Sequence, residues 1–285
     1  MISYKPLPIP DLEIAQYHSN LSFDQSDVEA FRDLYVRWIM SGQNTTVLGL
    51  ERFDMALTDG VTGAFADFTH AYPDKELVVF KGEYPYHRDT GATVITNIEQ
   101  LKHGQRLILS VPFAASGNSP KQYREILERC NELQIPLFLD MAYFGAAKLG
   151  LINVDHTCIK FVAFSLSKTF ATGKCRIGIC FYRNINVGPM QLLNQYRYVN
   201  HVSINMHYQI LENFTPDYLF NKYRKRQLKI ANDLNINASD TVFLCTTHDK
   251  KYNGFSRAGI INRIGIADLL VNNYNVDEIK WQTKP

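Results

Sequence analysis

The stretch FSLSKTFATGKCRIG, residues 164–178, places a lysine, Lys168, just past the apolar run KFVAF that begins at Lys160. A lysine at the carboxyl edge of a buried strand has a partly desolvated amine, which loses its charge more easily than a surface amine and can attack a carbonyl to form a Schiff base. The same address suits an ordinary solvated lysine, so the surrounding residues decide. LFLDMAYFG, residues 137–145, is a second apolar run that ends in a carboxylate, Asp140, with a phenol, Tyr143, three residues on. A carboxylate beneath a pyridine nitrogen keeps that nitrogen protonated and makes the ring an electron sink. An aspartate there can equally be a turn residue or a cap.

Two further elements bear on anion binding. In LTDGVTGAF the residues Gly60, Val61, Thr62 and Gly63 open a helical run, so the backbone N–H groups of a helix start face a phosphate-sized anion. Arg176 lies eight residues after Lys168 at the start of the next apolar run. A guanidinium can hold two phosphate oxygens at once or serve as a surface ion-pair partner. No metal-ligand spacing is present.

These residues need strand ends to bring them together. From residue 55 the runs LVVF (77–80), RLILSVPF (106–113), PLFLD (136–140), FVAFS (161–165) and RIGICFY (176–182) alternate with helical or turn segments, the best helix being 120–133. Short continuous apolar strands spaced by helices imply an α/β fold with a mostly parallel sheet covered on both faces. Ligands of such sheets sit at the carboxyl ends of the strands. Residues 24–42 and 187–233 read as long helical patterns, and TVFLCTT followed by INRIGIADLL suggests two strands and a closing helix. The expected organisation is a large α/β domain over residues 50–200 and a small α+β lobe built from 1–49 and 201–285.

The chain has 285 residues, 46% hydrophobic and 20% charged, enough for a large core and one or two domains. Thirty basic against 28 acidic side chains, with no long basic run, give no argument for nucleic acid or an anionic membrane. A small-molecule partner is expected. Five cysteines, at 130, 158, 175, 180 and 245, form no CxxC pair and read as a reduced intracellular protein without a zinc site. With no apolar signal segment or membrane helix in the pattern, a cytoplasmic location is expected.

SLSK followed by an arginine and IG, and preceded by LDMAYFG, resembles the fold-type I pyridoxal-phosphate enzymes of the aspartate aminotransferase superfamily. The resemblance is specific over about residues 45–183 and traceable beyond. It implies pyridoxal 5'-phosphate as cofactor, Lys168 as the Schiff-base lysine, Asp140 as partner of the pyridine nitrogen and Tyr143 as hydrogen-bond donor to the phenolic oxygen. Val61 and Thr62 would give amides to the phosphate, helped by Ser165 or Ser167 and by Arg176. In KGEYPYH, Tyr84 matches the aromatic that stacks on the ring, with His87 as its companion near Asp140. In NRIGIAD, Arg263 matches the arginine for the substrate α-carboxylate, with Arg257 close enough in sequence to be a rival.

The resemblance implies an aminotransferase that moves an amino group between an amino acid and a 2-oxo acid, acting as a homodimer. A lyase or decarboxylase on the same scaffold, or a catalytically lapsed binding protein, are the alternatives. The chain departs from the pattern at VPFAASGN, where Ala114 stands at the position of the family's asparagine and has no side-chain donor. It is also shorter than typical members by roughly a hundred residues, mostly in the small lobe and the N-terminal arm.

Overall fold

A computed structural model describes residues 1–19, 27–183 and 188–283. Its centre is a seven-stranded sheet in the order 54–58, 178–182, 159–165, 137–141, 105–110, 76–80, 93–95. All strands run parallel except Gly178–Tyr182, which is antiparallel to both neighbours. Five strands coincide with the apolar runs read from the sequence, though Arg176 falls before its strand rather than in it.

The apolar runs have no polar alternation because both faces are covered. Leu107, Leu109, Leu137, Leu139, Val162 and Phe164 belong to one fully buried cluster with Phe31, Tyr35 and Ile39 of the helix Val28–Met40. Ile108, Phe138, Phe161 and Ala163 face the other way, onto Val61, Ala64, Phe65 and Phe68 of the helix Val61–Ala71. Burying side chains of this size contributes roughly 1.5–3 kcal/mol each, which fixes the strand ends relative to one another.

A second sheet is built from both ends of the chain. Its order is 237–238, 244–247, 261–265, 2–3, 281–282, and Ser256–Arg257 also pairs with Ile261–Gly265. The two expected strands are present at Leu244–Thr247 and Ile261–Gly265, with the closing helix at Ala267–Val271. The sheets are joined through the loop after Ser110: Thr241 N–H and its hydroxyl both donate to the Gly117 carbonyl, and the Ser239 hydroxyl donates to the Ser116 carbonyl. Gly117 has φ +69°, and a Cβ there would stand 2.7 Å from Leu244 Cδ1, so only glycine permits this approach.

The helical pattern over 187–233 is three helices, Pro189–Gln195, His201–Asn213 and Tyr218–Asp233. The first break has Arg197 at φ +58° and Asn200 capping the next helix through Ser203 N–H; the second contains Pro216, which cannot continue a helix. Residue 187, and residues 24–26 of the other helical pattern, lie outside the described residues. Among the described residues no helix is long and apolar enough to cross a membrane.

Candidate active site

The parallel strands deliver Thr58, Ser110, Asp140 and Ser165 to one edge of the main sheet. Ser110 pairs with Asp140, while Gly178, entering the antiparallel strand, pairs with both Thr58 and Ser165. Gly60, Tyr143 and Lys168 follow Thr58, Asp140 and Ser165 within three residues and Arg176 precedes Gly178 by two, so a single edge collects them.

An anion cradle occupies one end of this edge. Gly60 has φ +71° and ψ −178°, a conformation open essentially to glycine alone. A Cβ on Gly60 would lie 3.1 Å from Arg176 Nη2 and 3.3 Å from Ser165 Oγ, so guanidinium, hydroxyl and bare backbone converge there. Gly60 precedes the helix Val61–Ala71 without a side-chain cap, which leaves the first N–H groups turned outward. Arg176 is exposed and its Nη2 donates to Thr62 Oγ1 at 3.0 Å. Ser167 N–H donates to Ser165 Oγ at 3.2 Å, while Ser167 Oγ is buried with no partner among the described residues.

Asp140 and Lys168 lie farther along. Asp140 is 7% exposed and accepts from Ala142 N–H at 2.9 Å. Burial pushes its carboxyl up to about 6, against the opposing pull of the Ala142 N–H and of the Lys168 ammonium. Burial also lowers the Lys168 amine, and the charges of Arg263 and Arg176 push it the same way. Tyr143 is half-buried, edge-on to Phe243 at 5.5 Å; burial raises its phenol, and Arg263 and Arg257 act to lower it. Tyr84 is 46% exposed and stacks on Tyr86, leaving ring surface open at the edge.

His87 is buried edge-on to Phe65 at 4.5 Å, and desolvation lowers its imidazole to about 4, so it is neutral. Among the described residues its Nε2 has no hydrogen-bond partner, so that nitrogen makes no bond to Asp140. Arg263, 4% exposed, donates through Nη1 to the Ala114 carbonyl. Ala114, which lacks a side-chain donor, thus meets Arg263 through its backbone. Arg257, 8% exposed, donates through Nη2 to the Tyr4 carbonyl and sits 3.5 Å over the Tyr4 ring.

Glu83 escaped the sequence reading. It is 7% exposed and accepts from Ser110 N–H at 2.8 Å, Ser110 Oγ at 2.6 Å and Tyr84 N–H at 3.3 Å. Desolvation pushes its carboxyl up to about 7; the Ser110 donors oppose this and the Asp140 charge adds to it. The available signal was a carboxylate placed directly before the aromatic in KGEYPYH, next to a strand end.

The profile of the family described as Aminotransferase class I and II matches residues 83–235, more than half of the 285 residues. The chain belongs to this family, whose cofactor is pyridoxal phosphate. Among solved structures, the pyridoxal-phosphate-bound C–S lyase of Staphylococcus hominis, with L-cycloserine, is similar at TM-score 0.64 and 12% identity, covering 90% of this chain and 80% of that one. Alanine aminotransferase of Pyrococcus furiosus is similar at TM-score 0.63 and 15% identity, with 91% and 84% covered. L-threonine-O-3-phosphate decarboxylase of Porphyromonas gingivalis is similar at TM-score 0.61 and 14% identity, with 92% of both chains covered. At these identities the likeness establishes the α/β fold of fold-type I pyridoxal-phosphate enzymes. No curated protein matches the sequence.

Proposed function

We propose that the chain is a pyridoxal-phosphate-dependent aminotransferase that moves an amino group between an amino acid and a 2-oxo acid. The observation that carries this reading is the desolvated Lys168 amine on the same sheet edge as buried Asp140 and the cradle of Gly60, Ser165 and Arg176. The cofactor's chemistry fits these donors, since a phosphate suits the glycine-opened helix start and a pyridine nitrogen suits an acid in a dry pocket.

In this reading Val61 and Thr62 N–H, Arg176, and Ser165 or Ser167 would hold the phosphate. Asp140 would face the ring nitrogen, Tyr143 the phenolic oxygen and Tyr84 the ring face. Pyridoxal phosphate, when bound, supplies an aldehyde that receives the amino group and a protonated ring that accepts electrons. Lys168 Nζ, already weakened as an ammonium by burial and two arginines, takes the proton from the substrate Cα and returns it as general acid. Asp140 must be anionic for its part, and a cationic ring nitrogen beside it would stabilise that form against desolvation. Arg263 offers a planar fork to the substrate α-carboxylate.

We place the cofactor-holding body at residues 50–200 and the substrate-facing lobe at 1–49 and 201–285. We further propose a cytoplasmic homodimer. Leu192, Leu193, Tyr196 and Tyr198 are exposed, with Leu193 and Tyr198 lining a hollow beside Asp59, and a second copy would cover them. Sedimentation at micromolar concentration tests the pair; a monomer with cofactor bound contradicts it.

The activity is tested by mixing the pyridoxal-phosphate-loaded protein with amino acids and reading the products by mass spectrometry. Conversion to the 2-oxo acid, with regeneration by a second 2-oxo acid, supports the aminotransferase. Loss of the carboxylate or of the side chain from the amino acid replaces this reading with a decarboxylase or a lyase. No turnover of any amino acid supports a lapsed site.

A further inference from the structure

Arg257 and Arg263 lie on antiparallel partners of the second sheet. Arg257 pairs with Ile261, and Ile261 and Arg263 are two apart on one strand. Directly opposite residues share a face, as do residues two apart, so the arginines are diagonal neighbours on the same face, within reach of one another. Arg263 reaches the loop that follows Ser110 through the Ala114 carbonyl, and Arg257 lies beside it on the second sheet, with the charges of both bearing on the Tyr143 phenol.

Among the described residues no carboxylate forms an ion pair with either arginine. Each makes a hydrogen bond to a neutral carbonyl, Ala114 for Arg263 and Tyr4 for Arg257, and in each the buried Nε lacks a partner. Desolvation, with the Arg263 charge adding to it, brings Arg257 down to about 10. Two neighbouring buried cations with donors to spare are unfavourable without compensating anions. Their separate anchors, Ala114 on the main sheet's loop and Tyr4 near the N-terminus, hold the guanidinium groups as two receptors.

We propose that Arg263 and Arg257 form a two-point receptor for a substrate with two anionic ends, Arg263 taking the α-carboxylate and Arg257 a side-chain carboxylate or phosphate. This rests on the aminotransferase reading and narrows its substrate class to acidic or phosphorylated amino acids and their 2-oxo counterparts. A guanidinium fork suits either terminal group, so the choice between them is left to the probes.

Calorimetric titration of the cofactor-loaded protein with unreactive acids tests this without turnover. The probes are propionate, with one anionic end, succinate, with two carboxylates, and 3-phosphonopropionate, with a carboxylate and a phosphonate. Succinate or phosphonopropionate should bind at least about tenfold tighter than propionate, the gain expected of one more charge-assisted contact. Which of the two is tighter names the terminal group. In Arg257→Gln the preferred dianion should fall to the level of propionate, and Arg257→Lys should recover part of the preference.

Equal affinity for propionate and both dianions in the parent overturns the proposal, whatever the variants do. Equal loss of propionate and dianion in Arg257→Gln also overturns it, because both arginines then share one carboxylate. An unchanged dianion preference in a folded Arg257→Gln makes the residue a clamp for Tyr4 only. Failure of the underlying reading is separate, since it shows in the product assay as loss of the carboxylate or of the side chain, or as no turnover, whatever the affinities for unreactive acids.

Discussion

Ser110 and Asp140 pair across adjacent parallel strands, and Ser110 donates both its N–H and its hydroxyl to the buried carboxylate of Glu83. Two acids therefore meet at the floor of the candidate site, one on each side of this serine. Desolvation raises the Glu83 carboxyl, the two Ser110 donors pull it back, and the Asp140 charge adds a smaller push upward.

That relationship gives a pH dependence to the cofactor-free protein. Asp140 moves from 3.8 to about 6 and Glu83 from 4.5 to about 7, so the folded state binds more protons than the unfolded chain between these values. The stability they contribute is present below about pH 4 and is lost as pH rises through 6 to 7, on the order of 3 kcal/mol per group. Urea unfolding at pH 4.5 and pH 8 should show a smaller difference for Glu83→Gln than for the parent. Parallel losses in both proteins would mean that Glu83 ionises normally.

Asp140→Asn preserves the shape of the carboxylate and removes its charge. Pyridoxal phosphate should still bind, because the phosphate cradle is untouched, while the half-reaction with an amino acid should slow by about a hundredfold or more. Stopped-flow absorbance reads this directly. A variant with near-parental rates would leave Asp140 as a turn residue that accepts the Ala142 N–H.

Gly60 is the second point of leverage. Gly60→Ala puts a methyl 3.1 Å from Arg176 Nη2 at a φ of +71°, so it should strain the backbone by about 1–3 kcal/mol and displace the guanidinium. Cofactor affinity should fall by at least about tenfold, the loss of one good contact. Gly63→Ala is the contrast, since its Cβ would rest 3.6 Å from Thr58 Cβ, an ordinary contact, and cofactor affinity should hold. Fluorescence titration with pyridoxal phosphate compares the two. Equal affinities would show that the phosphate does not use this cradle.

Arg263→Lys retains the charge but loses the planar two-point grip. Amino-acid binding should weaken by about thirtyfold, roughly 2 kcal/mol, with cofactor affinity unchanged. Identical amino-acid titrations of parent and variant would remove Arg263 from the substrate site.

The strand ends were legible because buried parallel strands carry uninterrupted apolar runs, and Lys168, Asp140 and Tyr143 follow such runs directly. Asp54–Thr58 was not, since DMALT is short and mixed. Its edge is braced by Asn194, which accepts from Leu57 N–H and donates to the Leu57 carbonyl from a distant helix. The reversed direction of Gly178–Tyr182 was also hidden. An apolar run signals burial but no direction, and the preceding loop, which carries Lys168 and Arg176, contains no crossover helix. Glu83 and Arg257 look like surface charges in sequence. Their burial depends on Ser110, Tyr4 and the second sheet, partners as far as 253 residues away. The neutral state of His87 follows from its packing on Phe65, which its sequence neighbours do not reveal.

Lys168 is the lysine we propose to hold the cofactor. Borohydride reduction of the protein with pyridoxal phosphate, followed by peptide mapping, should place a single pyridoxyl group on the peptide containing SLSK, at Lys168, and Lys168→Ala should abolish the label. A label on another lysine, or none at all in folded protein, contradicts the account.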